Sequence, residues 1–234
     1  MKAIKAATPR MTGAARRAAI IKAVRQVFAD EGFHGTTTRR LAEAAGVSEA
    51  LLYQHFPNKE ALYSAMLLTC SREENVHAAE RLEALEPSTS TLVAIVHLLI
   101  ARFIAGAACG AEDERIQVRL MQRSLAEDGE FARLIHQRIA SHWVPKVEEC
   151  LKAAVAAGDA VEGPLRADFS ACLTRDLATI LMLHLLPKTP IVDYGMSAEE
   201  LAEQVGWFVL RGMGLKDDAI KRYYNPQAFA LMPA

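Results

Sequence analysis

The chain is poor in the residues that announce chemistry. Its four cysteines (Cys70, Cys109, Cys150 and Cys172) are far apart, and they form neither a Cys-x-x-Cys nor a Cys/His cluster. That spacing offers no zinc site and no disulfide framework, and leaves the cysteines as small buried hydrophobes of a reducing compartment. There is no His-Glu-x-x-His, no phosphate loop, no nucleophile elbow and no pair of carboxylates at a plausible site. An enzyme is therefore not expected, and neither is a metal or cofactor. Strand-like alternation and internal repeats are also missing. The first 20 residues are rich in Lys, Arg and Ala without an apolar core, so they do not read as a signal peptide. The only stretch near membrane-spanning length, around residues 84–101, is interrupted by Glu86, Pro87 and a Ser/Thr cluster. These absences predict a cytoplasmic chain with no membrane partner. The net charge of −1 is itself too small to announce a nucleic-acid partner.

The distribution of charge says more than its sum. Residues 1–60 hold ten Lys/Arg (Lys2, Lys5, Arg10, Arg16, Arg17, Lys22, Arg25, Arg39, Arg40 and Lys59) against five acids (Asp30, Glu31, Glu43, Glu49 and Glu60), so the remainder carries −6. A basic head on an acidic body fits a nucleic-acid-binding domain followed by a separate regulatory one. The length of 234 residues suits one small domain and one larger one, and 51% hydrophobic residues supply a substantial core.

Residues 36–63 carry the clearest signal. Thr37 or Thr38 can cap a helix whose apolar positions Leu41, Ala44 and Ala45 recur at i, i+3, i+4. Gly46 stands where that helix must stop in a left-handed conformation. Val47 is placed to plug the angle of the turn, Ser48 to cap a second short helix, and Glu49 to sit in its first turn. Leu52 and Phe56, at i and i+4, give that helix a buried edge and leave Glu49, Ala50, Leu51, Tyr53, Gln54 and His55 on or near open faces. Pro57 ends it, and Asn58 caps the next helix with Lys59 and Glu60 in its first turn. This is the pattern of a DNA-reading helix-turn-helix.

The blocks Gly32-Phe33-His34-Gly35-Thr36-Thr37-Thr38, Leu41-Ala42-Glu43-Ala44-Ala45-Gly46-Val47-Ser48, Leu52-Tyr53-Gln54-His55-Phe56 and Lys59-Glu60-Ala61-Leu62 occur in order. Over roughly residues 14–65 the chain resembles the N-terminal domain of the tetracycline-repressor (TetR) family of bacterial transcription regulators. The remainder resembles that family only in length and helical content. Two positions depart from it: Ala50 where the family usually has Gly, and Leu51 where it often has a hydroxyl residue. Apolar contact with thymine methyls is the alternative these residues offer.

On this reading the fold is all-α. A helix-turn-helix domain spans residues 1–57, with a basic arm at 1–12, and a helical effector-binding and dimerisation domain spans 58–234. The expected helices run about 13–31, the two short ones of the motif, 58–85, 91–108, 112–126, 130–157 with Pro145 inside, 165–186 and 197–212, with a short helix or tail over 216–224. The helix at 91–108 is apolar nearly all round and should lie at the centre of the second domain. His97 and Arg102 stand out on it as polar groups in need of partners.

The expected DNA contacts divide by chemistry. Tyr53, His55 and Lys59 hold phosphates, helped by Thr37, Thr38 and Ser48 through hydroxyls or helix N-termini. Glu49 and Gln54 read base edges, and Arg39 or Arg40 reaches the backbone or an adjacent base. Candidate effector-lining residues are Arg102, Phe103, Met121, His136, Arg138, His142 and Trp143. The resemblance implies a homodimer through the last two long helices, by way of Phe169, Leu173, Leu177, Leu181, Val205, Phe208 and Val209. It further implies a palindromic double-stranded operator and a small-molecule effector, with repression as the family's usual sign. Two alternatives stay open: a DNA-binding regulator without a small-molecule ligand, controlled by a partner protein or by abundance, and more remotely a helical enzyme using His136, His142 or Cys150.

Overall fold

The computed structural model describes residues 11–109 and 112–230, without the side chains of 70–80, 107–109, 112–114 and 230. The basic arm up to residue 10 and the side chains of Cys70 and Cys109 thus lie outside the described residues. The described residues form helices α1 (Gly13–Gly35), α2 (Thr38–Ala45), α3 (Glu49–His55), α4 (Lys59–Glu83), α5 (Thr89–Cys109), α6 (Glu112–Ala126), α7 (Glu130–Ala156), α8 (Ala167–Leu185), α9 (Ala198–Gly212), α10 (Asp217–Tyr223) and α11 (Pro226–Ala230). No strand occurs among the described residues, and extended pairing is limited to one antiparallel bridge between Ala160 and Leu215. The chain divides into two compact units, one running to Glu73 and including Arg115–Ala132, the other comprising Glu74–Glu114 and the residues from Arg133 on.

In the first unit α1 starts at Thr12, whose side chain accepts from the Ala15 N–H. It buries Ile20, Ile21, Val24, Val27 and Phe28. Regular helix is lost at Gly32, with φ 72° and ψ 175°, and the chain takes one further turn to Gly35. A side chain at position 32 would meet Glu127 carboxylate oxygens at 2.7 Å, so glycine is required there by space as well as by backbone angle. The segment 115–132 joins this unit through Ile116, Leu120 and Phe131, all buried. Its polar contacts reach α1 and α4: Arg119 pairs with Asp30 at 2.6 Å, Arg123 donates to the Asp30 carbonyl at 2.7 Å, and the Tyr63 hydroxyl donates to Asp128 at 3.3 Å. Tyr63 makes tilted ring contacts with Phe28 and Phe33, and burial together with the Asp128 charge pushes its pKa up, so it stays a neutral donor.

The second unit is organised around α5, which packs against α8, α9, α10 and α11. Leu92–Val96, Ile100 and Ile104 of α5 are buried. By length and composition Thr89–Gly106 could cross a membrane, with mean hydropathy 1.7. This window starts just beyond the Glu86–Pro87 interruption that the sequence reading relied on, and its apolarity here serves core packing. His97 finds its partner inside the chain: its Nδ1 lies 2.6 Å from the Tyr224 hydroxyl. Burial lowers the His97 pKa against an opposing pull from Glu203. Arg102 is exposed.

Candidate nucleic-acid interface

The path from sequence to local structure is direct in residues 36–61. Thr37 caps α2 by accepting from the Arg40 N–H at 3.2 Å. Gly46 leaves α2 at φ 64°, and the Gly46 and Val47 N–H groups donate back to Glu43 and Ala42, a glycine-dependent helix end. Ser48 caps α3 by accepting from the Leu51 N–H at 3.2 Å, and Asn58 caps α4 by accepting from Ala61 at 2.7 Å. Leu52 and Phe56 are 3% and 1% exposed, so one face of α3 is fixed in the core. The opposite face presents Glu49, Ala50, Tyr53 and Gln54 to solvent, with Leu51 and His55 half-buried beside them.

The polar groups around this face differ in how strongly they are held. The Thr38 hydroxyl and the Tyr53 hydroxyl are 3.2 Å apart, tying the start of α2 to the middle of α3. Arg39 pairs with Glu43 and Arg40 with Glu31, each at 3.0 Å and in solvent. Such exposed pairs contribute little and exchange readily for a phosphate.

Lys59 corrects the sequence reading. Its ammonium turns inward, donating to the Phe33 carbonyl at 2.8 Å and the Thr36 carbonyl at 2.9 Å, and lies 4.3 Å from the Phe33 ring centroid. Both carbonyls lie at the end of α1, where no further helical turn supplies partners, and a cation satisfies both at once. Arg17 plays a matching part that the sequence did not announce. Its Nη1 donates to the His55 carbonyl at 2.8 Å, and its guanidinium lies 4.2 Å from the Phe56 ring centroid. Arg17 and His55 are 38 positions apart, so no local pattern reveals the contact.

Comparison with known proteins agrees with this geometry. Residues 20–66 match the family described as bacterial regulatory proteins, tetR family. Over 53 residues the chain is 49% identical to the HTH-type transcriptional regulator RutR of Escherichia coli, a match covering 23% of this chain and 25% of RutR. The chain belongs to the tetR family. It spans about a quarter of RutR's length in that match. A longer likeness, 29% over 169 residues, relates this tetR-family chain to the nucleoid occlusion factor SlmA of Vibrio campbellii, covering 66% of this chain and 86% of SlmA. In fold it is similar to native NalD, the secondary repressor of the MexAB-OprM multidrug efflux pump in Pseudomonas aeruginosa, with TM-score 0.61 and 21% identity over 88% of this chain and 100% of NalD.

The candidate effector residues of this tetR-family chain divide between the two units. Met121 belongs to the first unit and the others to the second. Trp143 is buried, with its indole N–H donating to the Ala171 carbonyl at 3.0 Å, and Phe103 packs against the core. His136 is paired with Arg175, while Arg138 is half-buried. His142 lies 2.6 Å from Glu83 and lines a depression of about 420 Å³ with Pro87, Pro145, Lys146 and Glu149. At the floor of that depression Lys146 is buried and donates to the Glu83 and Leu85 carbonyls at 3.2 and 2.9 Å. Among the described residues no group of three or more His, Cys, Asp or Glu could hold a metal ion.

The candidate dimer residues also separate. Phe169, Leu173 and Phe208 are 52%, 51% and 72% exposed, and Leu177 and Val205 are partly buried. Leu181 and Val209 are 5% and 8% exposed and belong to the chain's own core, so they are not open to a second copy. Ile180, 44% exposed on α8, extends the open apolar face.

Proposed function

We propose that this chain is a DNA-binding transcriptional regulator that reads a palindromic operator as a homodimer and is released by a small-molecule effector. The observation that carries the reading is α3: fixed behind by Leu52 and Phe56, capped by Ser48, and open in front through Glu49, Ala50, Tyr53 and Gln54. A helix so presented enters a major groove with its N-terminal residues at base edges. Glu49 accepts from cytosine N4, Gln54 pairs with adenine, and Ala50 and Leu51 contact thymine methyls. Tyr53, His55, Thr37, Thr38, Ser48 and Arg39 supply backbone contacts, with Arg39 exchanging its Glu43 partner for phosphate. Two copies joined through Phe169, Leu173, Ile180 and Phe208 double the base contacts and select a two-fold-symmetric site. Repression is the sign the family suggests, and the reading contains no catalytic step.

A second reading keeps DNA binding but replaces the small molecule by a partner protein or by abundance. Trp143 and Phe103 favour it, because both are committed to the core. So does the likeness to SlmA, whose name is that of a nucleoid occlusion factor. Fluorescence anisotropy on the intergenic DNA beside the chain's own gene, against a scrambled duplex across a salt series, tests what the two readings share. Saturable binding to the first duplex only, lost in Tyr53→Ala, supports them, and absence of binding even at low salt sinks both. A thermal-shift screen then separates them, since an effector raises the melting temperature.

A further inference from the structure

We propose that Arg17 is a positioning residue for DNA recognition, holding the C-terminal end of α3 from α1 and acting through that helix rather than by touching DNA. The proposal rests on the reading of α3 as the DNA-reading helix. His55 is the last residue of α3, where carbonyls have no partner within the helix. The Arg17 Nη1 donates to that carbonyl at 2.8 Å, and a cation there also complements the negative end of the helix dipole. The other half of the contact is a ring. Phe56 is 1% exposed, hence fixed, and the guanidinium lies over it at 4.2 Å. The planar guanidinium can lie flat on the ring and donate in its own plane at the same time, a geometry that a compact ammonium does not reproduce at this site.

The consequence follows from the length of α3. At seven residues it is too short to be stable alone, so its orientation depends on what holds its ends. Ser48 holds the first end and Arg17 the last. Glu49, Ala50, Tyr53 and Gln54 then meet base edges in one fixed register, which sequence discrimination requires.

The test compares Arg17→Gln with the native protein on two probes: a duplex enriched by the native protein from a randomised library, and a scrambled duplex of the same composition. Anisotropy is read across a salt series. A positioning role predicts roughly ten-fold weaker binding to the enriched duplex. Binding to the scrambled duplex and the salt slope stay unchanged, because no phosphate contact is lost. Arg17→Lys recovers only a minor part of the loss. Equal weakening on both duplexes, with a slope smaller by about 0.9, would make Arg17 a phosphate contact and overturn the proposal. No change on either duplex would overturn it as well. Should Arg17→Gln melt below the assay temperature, Arg17→Lys, which keeps the charge and the aliphatic stem, carries the same comparison. Failure of the native protein to enrich any duplex would sink the DNA reading itself, and the proposal with it.

Discussion

Replacing Lys59 by Met separates an internal clamp from a phosphate contact. Two hydrogen bonds from the ammonium, at 2.8 and 2.9 Å, and its place over the Phe33 ring are lost together. A bond from a charged donor contributes about 1.5–3 kcal/mol and an exposed cation–π contact about 0.5–1 kcal/mol. Lys59 is only half-buried, so the low end applies, and Met relieves the desolvation of the ammonium. The net expected loss is about 2–3 kcal/mol from the first unit, which corresponds to a Tm lower by roughly 5–10 °C if the chain unfolds as one body. Tryptophan fluorescence is the wrong probe, because Trp143 and Trp207 both lie in the second unit. Amide hydrogen exchange over α1 to α3 reports the loss directly, as weaker protection in those helices and unchanged protection in α5. The reasoning is refuted if Lys59→Met leaves protection of α1 to α3 as it was while the salt slope of DNA binding falls by about 0.9, for then the ammonium faces phosphate.

Further expectations concern the second unit. Because burial holds the His97 pKa below its ordinary value, the unfolded chain takes up that proton first. The stability contributed there is whole above about pH 6.5 and is lost as pH falls from that value to the depressed native one. Urea melts followed by tryptophan fluorescence should show this slope, His97→Asn should flatten it, and a native profile flat between pH 7 and about 5 would contradict it. Tyr224→Phe removes the 2.6 Å bond to His97 and should cost about 1–2 kcal/mol in the same melts. Phe208→Glu, at a residue 72% exposed, should abolish the proposed dimer in analytical ultracentrifugation and leave the monomer's melt within about 0.5 kcal/mol of native. Leu181→Ala, at a side chain 5% exposed, should instead cost about 2–5 kcal/mol of stability. A Phe208→Glu protein that stays dimeric would remove α9 from the proposed interface.

The helix-turn-helix was legible because its determinants are local. A cap acts over three residues and a left-handed glycine over five, and the pair Leu52 and Phe56 over one turn, so Gly46, Ser48 and Asn58 could be assigned from spacing and the first cap narrowed to Thr37 or Thr38. What stayed hidden is what a distant segment supplies. Lysine in the first turn of a helix reads as solvent-facing, and only the free carbonyls at the end of α1 turn Lys59 inward. Arg17 on His55, and Arg119 and Arg123 on Asp30, join residues 38 to 93 positions apart.

The dimer residues show a different limit. Large apolar groups occur around much of α8, so periodicity alone cannot say which face meets α5. The structure buries Ser170, Ala171, Thr174, Ala178, Leu181 and Met182, a face built mostly of small residues. The partner explains the choice. α5 carries Leu92, Val93, Ile95, Val96, Ile100 and Ile104, and a helix so bulky is approached closely only by a face that is small. Large residues on α8 are thereby turned outward, which is why Phe169, Leu173 and Ile180 stand exposed while Ala171 and Ala178 are fully buried. Reading the size of apolar residues around α8, and not only their spacing, would have put Leu181 on the inner face, beside Ala171 and Ala178, and Ile180 on the outer one. The same size rule gives the exposed stripe its meaning: these side chains are large because they are not needed against α5, and a second copy is the partner that would justify keeping them apolar.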